Sequence, residues 1–143
     1  MTHAQKAVEL HNTRGCNCAS CVFAAFADLT GMEPDTALKV SSSFGGGMGQ
    51  LGQTCGAFSG MLMVLGALRG ITSAEGKKEY YAVVHELGDR FRAKAGELTC
   101  PGLLAPQGLT GSDPAILPKK KAYCNTLIAL ACDLLDEYLS ENK

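Results

Sequence analysis

An all-α domain is predicted, and three observations predict it. Apolar residues recur at helical spacing in nearly every segment. Runs of Val, Ile and Thr bounded by turn residues, the mark of strands, are absent. Capping residues precede most of the periodic stretches, and glycines follow them. At 143 residues the chain can bury one continuous core. The expectation is a compact single-domain helical bundle of about five to six helices over residues 1–143, with a central Gly-rich apolar helix.

The first helix is expected over 3–13, capped by Thr2, with Ala4, Val8 and His11 or Asn12 along one side and Gly15 at its end. Asn17 caps a second, CASCVFAAFADLT, whose apolar face holds Val22, Phe23, Phe26 and Leu29 and which Gly31 closes at C′. A short third opens with Pro34 at N1 and carries Ala37, Leu38 and Val40. Thr54 can cap a fourth, TCGAFSGMLMVLGALRG, which is apolar on almost every side and is therefore placed at the centre. Its length sits at the bottom of the membrane-spanning range, and Gln53, Thr54 and Ser59 lie in or beside it. A buried core helix is preferred to a membrane span. The fifth, from Ser73 to Ala95, lines up Tyr80, Val83, Val84, Leu87 and Phe91 and closes at Gly96. Residues 99–105 can add one turn, 106–118 form a loop, and a helix from Lys119 to Leu139 comes last. No repeat or linker divides the chain.

Thirteen basic residues against 14 acidic ones leave a formal charge of −1, and aromatic residues make up 6%. Neither a counterion-releasing surface nor a stacking platform is available, so no nucleic-acid partner is expected. The opening stretch MTHAQKAVELHNTRG has no apolar core or cleavage site of an export signal, which points to the cytoplasm. Seven cysteines in a reducing compartment indicate metal binding, redox chemistry or small buried residues.

Seven of the 17 glycines fall between Gly45 and Gly60, around Cys55. Gly47-Met48-Gly49-Gln50-Leu51-Gly52 matches GxGxxG, but a helix precedes it and no βαβ unit surrounds it, so the dinucleotide reading fails on context. Gly52, Gly56 and Gly60 recur every four residues and would line one helix face, open to close approach by another helix or by a second copy in a homodimer. That reading leaves Gly45, Gly46, Gly47 and Gly49 unexplained. Cys18, Cys55 and Cys100 each follow a capping residue, where free N–H groups and the macrodipole favour a thiolate, and Cys124 follows Lys119, Lys120 and Lys121. Four such thiols suggest a shared ligand. If they converge on an iron–sulfur cluster, Gly46, Gly47, Gly49 and Gly56 let backbone N–H groups approach the sulfides where a Cβ would collide. The plainer reading takes all four thiols as small core residues.

The segments Asn17-Cys18-Ala19, Phe44-Gly45-Gly46-Gly47-Met48-Gly49 and Thr54-Cys55-Gly56-Ala57-Phe58-Ser59-Gly60, followed by Cys100 and Cys124, resemble the C_GCAxxG_C_C family of redox-active proteins. The likeness runs from about residue 5 to 139. It implies an all-helical domain whose family cysteines are Cys18, Cys55, Cys100 and Cys124. A similar module forms part of split-Soret cytochrome c, where such cysteines are associated with an iron–sulfur centre, which supports the cluster by analogy. This chain lacks the CxxCH of covalent haem attachment and adds Cys16, Cys21 and Cys132.

Cys18 and Cys21 form CASC at a helix start, a candidate dithiol, while Cys132 reads as core packing. His3, His11 and His85 have no second histidine at i+3 or i+4 and make poor zinc ligands. Asp133, Asp136, Glu137 and Glu141 read as the solvated face of the last helix. The leading expectation is a small redox protein binding an iron–sulfur cluster through Cys18, Cys55, Cys100 and Cys124, serving electron transfer or reductive chemistry with a redox partner protein. The alternatives are a thiol–disulfide oxidoreductase using Cys18 with Cys21 or Cys55, and a non-catalytic binder of Zn²⁺ or Cu⁺.

Overall fold

A computed structural model describes all residues, Met1–Lys143. Eight α-helices succeed one another: α1 His3–Arg14, α2 Cys18–Ala25, α3 Ala27–Thr30, α4 Pro34–Val40, α5 Gly56–Arg69, α6 Lys77–Ala95, α7 Cys100–Leu104 and α8 Leu117–Glu141, with 3₁₀ turns at Ala105–Gln107 and Pro114–Ile116. The all-α class holds. The count exceeds the expected five to six because the second helix breaks at Phe26 into α2 and α3, and because the turn after Thr99 is a helix in its own right.

Caps fix the boundaries as the sequence suggests. Thr2 and Gln5 form a reciprocal capping box, Asn17 accepts from the Ser20 N–H at 2.9 Å, and left-handed Gly15, Gly31 and Gly96 close α1, α3 and α6. Cys55, not Thr54, is the N-cap residue of α5, and α6 starts at Lys77 rather than Ser73. Val22, Phe23 and Phe26 are buried, but Leu29 and Val40, expected on inner faces, are 47% and 56% exposed. The break at Phe26 turns Leu29 outward.

The innermost helix is α2, with seven of its eight residues buried, whereas α5 buries seven of fourteen. The expected central helix is thus α2's principal neighbour. The two approach closely because Gly56 and Gly60 face Ala19: a Cβ on Gly60 would stand 2.6 Å from the Ala19 carbonyl oxygen. The glycine face is therefore filled within the chain, which removes the reason for expecting a second copy on it. Gly52 lies outside the helix and does not contribute to that face. Helix α8 packs against α1, α2, α5 and α6 and completes the bundle. No helix is long and apolar enough to cross a membrane.

Two local structures bring the starts of α5 and α7 together. Between α4 and α5, five successive residues adopt left-handed φ values: Gly46 (66°), Gly47 (74°), Met48 (65°), Gly49 (63°) and Gln50 (63°). L-residues avoid such runs, at about 1–2 kcal/mol each, which explains why three of the five are glycine. The turn closes through hydrogen bonds from the Gln50 N–H to Gly45 O (3.0 Å) and from the Gln53 N–H to Gly47 O (2.7 Å). Just beyond it, Thr54 and Thr99 form an isolated antiparallel bridge. The Cys55 N–H donates to Leu98 O at 2.7 Å, and the Cys100 N–H donates to Gln53 O at 2.8 Å.

Candidate functional site

Four chain segments end at one cavity of about 910 Å³. Each brings a thiol. Cys18 opens α2 behind Asn17, whose Nδ2 donates to Ser42 O at 3.0 Å and so ties the helix start to the chain entering the glycine turn. The buried Ser41 hydroxyl, bonded to Ser20 Oγ at 3.0 Å, reinforces that junction. Cys55 caps α5, and the Thr54–Thr99 bridge draws it toward Cys100 at the start of α7. Cys124 lies on α8 one turn beyond Lys120. All four cysteines line the cavity, together with Gly46, Gly47 and Gly56.

Gly49 does not line it; its left-handed φ serves the turn alone. Cys16, Cys21 and Cys132 also lie outside the wall. No periodicity predicts the short bridge. Its one signal is the repeated Thr-Cys pair at 54–55 and 99–100, too brief for any strand period to register.

The glycines mark close approaches. A Cβ on Gly47 would meet Cys100 Cβ at 2.8 Å and the Gln53 backbone nitrogen at 2.8 Å, and one on Gly56 would meet Cys18 Cβ at 3.2 Å. The N–H groups of Gly46 and Gly47 have no acceptor within the protein. None of the 22 lining residues is acidic, while Lys120 and Lys121 both contribute to the wall.

Burial decides the state of the thiols, against the expectation from helix starts. Cys18 is raised well above the ordinary thiol value by its interaction with the facing Cys124 thiol, then by burial and the nearby Cys55. Burial pushes Cys55 up to about 11, although the Ala57 and Phe58 N–H groups oppose it. Its sulfur makes no capping hydrogen bond of ordinary geometry, and burial outweighs the pull of those two N–H groups. Cys100 is raised by burial and by Cys124, with Lys120 opposing. Only Cys124 is lowered, to about 7, because the Cys18 thiol and the charge of Lys120 outweigh burial. The ordering follows from size: a macrodipole supplies about 0.3–1 kcal/mol, less than one pKa unit, whereas burial moves a group by several.

The remaining candidates are engaged elsewhere. The Cys21 thiol donates to Cys16 O at 3.2 Å and faces the Cys16 sulfur, so the CASC pairing with Cys18 gives way to a Cys16–Cys21 contact. Cys132 is fully buried, as core packing requires. His3 sits between Asp28 and Asp136, 2.8 Å from each, and the His11 ring binds Asn125 at 2.7 Å. Asp136 is therefore not simply solvated, and Glu137 and Glu141 pair with Arg90. No three His, Cys, Asp or Glu side chains are grouped closely enough to hold a single metal ion. The four cavity thiols frame a space instead of closing on a point.

No curated protein and no solved structure matches the chain. One family does, over residues 16–138, under the description "Putative redox-active protein (C_GCAxxG_C_C)". That match spans all four cavity thiols and every helix from α2 into α8, and the chain belongs to this family.

Proposed function

We propose that the chain is a redox protein that binds an iron–sulfur cluster through Cys18, Cys55, Cys100 and Cys124 and exchanges electrons with a partner protein. One observation carries the reading: four thiols, brought from four distant segments, meet on one cavity whose wall holds no carboxylate. The donor set suits the group, since thiolates are the usual ligands of iron–sulfur clusters. So does the cradle, where a side chain on Gly47 would collide with Cys100 and one on Gly56 would press against Cys18. A bound cluster supplies one-electron chemistry.

The chain's own contributions are distinct. Cys18, Cys55, Cys100 and Cys124 would each lose a thiol proton on ligating the cluster, and Cys124, the one thiol of the four whose pKa is lowered, would lose its proton most readily. Lys120 and the unpaired N–H groups of Gly46 and Gly47 offset the negative charge that four thiolates bring. The spread of the thiols weighs against a single Zn²⁺ or Cu⁺, which needs its ligands converging on one point. Seven free thiols suit a reducing compartment such as the cytoplasm.

A second reading draws on the facing Cys18 and Cys124 thiols: a dithiol that closes to a disulfide, in place of the expected Cys18–Cys21 pair. Colour separates the two. Anaerobic reconstitution with iron and sulfide should give brown protein carrying iron and acid-labile sulfide, and a colourless product would sink the cluster. Single Cys→Ala variants at 18, 55, 100 and 124 should lose the centre or make it labile. Variants at 16 and 132 should retain it, with loss of the fully buried Cys132 sulfur costing on the order of 1 kcal/mol.

A further inference from the structure

Cys16 and Cys21 do not line the cavity, and cluster binding makes no use of them. Their positions relative to α2 are specific. Asn17 is the N-cap, so Cys16 occupies N′ and Cys21 occupies N4, the two places whose side chains pack together in a hydrophobic staple. Here both members of the staple are thiols. The Cys21 Sγ donates to Cys16 O at 3.2 Å, and the Cys16 side chain lies against the core cluster that contains Cys21. The two differ in access: Cys21 is fully buried, whereas Cys16 is half-buried and reaches the surface. An accessible thiol backed by a buried one is the arrangement of an attacking and a resolving cysteine.

We infer that Cys16 and Cys21 form a second, two-electron thiol site that exchanges with small-molecule disulfides, separate from the four-cysteine cavity. The Cys16 sulfur attacks one sulfur of a disulfide RSSR, forming a protein–SR mixed disulfide and releasing one RS⁻. The Cys21 sulfur then attacks Cys16 and expels the second RS⁻. Two S–H bonds of the protein become one S–S bond, and RSSR is reduced to two RSH that carry the protons Cys16 and Cys21 have lost. The ring so closed encloses Asn17, Cys18, Ala19 and Ser20, the whole start of α2. The site is independent of whether the cavity holds a cluster.

The test is an anaerobic titration of the full chain with oxidised glutathione, followed by alkylation of free thiols, trypsin digestion and mass spectrometry. Cys16, Cys18 and Cys21 share one tryptic peptide, residues 15–39, whereas Cys124 falls in another, residues 122–143. The expected product is peptide 15–39 lighter by two hydrogens, with Cys18 alkylated and no backbone fragments between Cys16 and Cys21. The intact protein should then offer two fewer alkylatable thiols than its seven. Cys18→Ala should keep this product, and Cys16→Ala and Cys21→Ala should each abolish it. The inference is overturned if Cys16 and Cys21 remain alkylatable at every ratio. It is equally overturned if the bond found joins Cys18 to either of them or to Cys124, or if Cys16 stops at the glutathione adduct.

Discussion

Met48 and Gln50 carry side chains through a backbone region that glycine enters far more cheaply. Each loses about 1–2 kcal/mol there, while a glycine would lose about 0.5–1 kcal/mol more chain entropy on folding. Met48→Gly or Gln50→Gly should therefore raise stability by about 0.5–1 kcal/mol, read as a higher urea midpoint at unchanged slope. A lower midpoint would mean that the side chains contribute contacts worth more than the strain. Gly47 and Gly49 share the conformation but not the surroundings. A Cβ on Gly49 meets only Ser43 O, at 3.3 Å, away from the cavity. Gly49→Ala should cost about 1–2 kcal/mol and leave the thiol site intact. Gly47→Ala adds a collision with Cys100 Cβ and the Gln53 backbone, so under the proposed cluster binding it should also reduce the iron taken up on reconstitution. Iron per chain in the two variants, measured after reconstitution, checks the contrast.

Among the elements, the contact between α2 and α5 depends on Gly60, whose added Cβ would press on the Ala19 carbonyl and on Val22 Cβ at 2.9 Å. Gly60→Ala should destabilise by about 1–3 kcal/mol, measured by thermal or urea unfolding. Helix existence was legible because caps and period report it locally: Thr2, Asn17, Pro34, Thr99 and the closing glycines stand where the structure uses them. The break after Ala25 was not, since Phe23 and Phe26 continue the apolar period straight through it. Which helix lies innermost was also hidden. Apolar content made α5 look central, but burial depends on how many neighbours a helix has, and the small residues of α2 admit them on every side. At the site, Cys18 and Cys100 stand behind the caps Asn17 and Thr99 as expected, Cys55 is itself the N-cap residue and Cys124 lies within α8 near Lys120. The thiolates expected at the helix starts are opposed by burial, which is a property of the assembled core. The left-handed turn was visible only as glycine content; the two L-residues inside it give no sign of their φ.

For the molecule as a whole, His3 joins three helices: its ring stacks on Phe26 at 4.0 Å and bonds Asp28 of α3 and Asp136 of α8. Burial pushes the Asp28 carboxyl up, but the hydrogen bond and charge of His3, with Lys6 nearby, outweigh it and hold the group below the usual carboxylate range. A folded pKa below the unfolded one contributes stability above the unfolded value, near about 3.9, and loses it as pH falls through the folded value. His3→Ala should therefore lower Tm at neutral pH and narrow its gap to the wild type in strong acid; an equal deficit at both pH values would leave only the stacking on Phe26. The same end-to-end architecture bears on biosynthesis. Cys18 and Cys124 face one another, and α1 and α2 both rest on α8, yet a ribosome makes α8 after all the other helices. Until it emerges, the wall of the cavity that carries Lys120, Lys121, Cys124 and Leu127 does not exist, and the faces of α1, α2, α5 and α6 that pack on α8 are uncovered. A chain stalled or cut before residue 124 is therefore left with three of the four cavity thiols and an uncovered core.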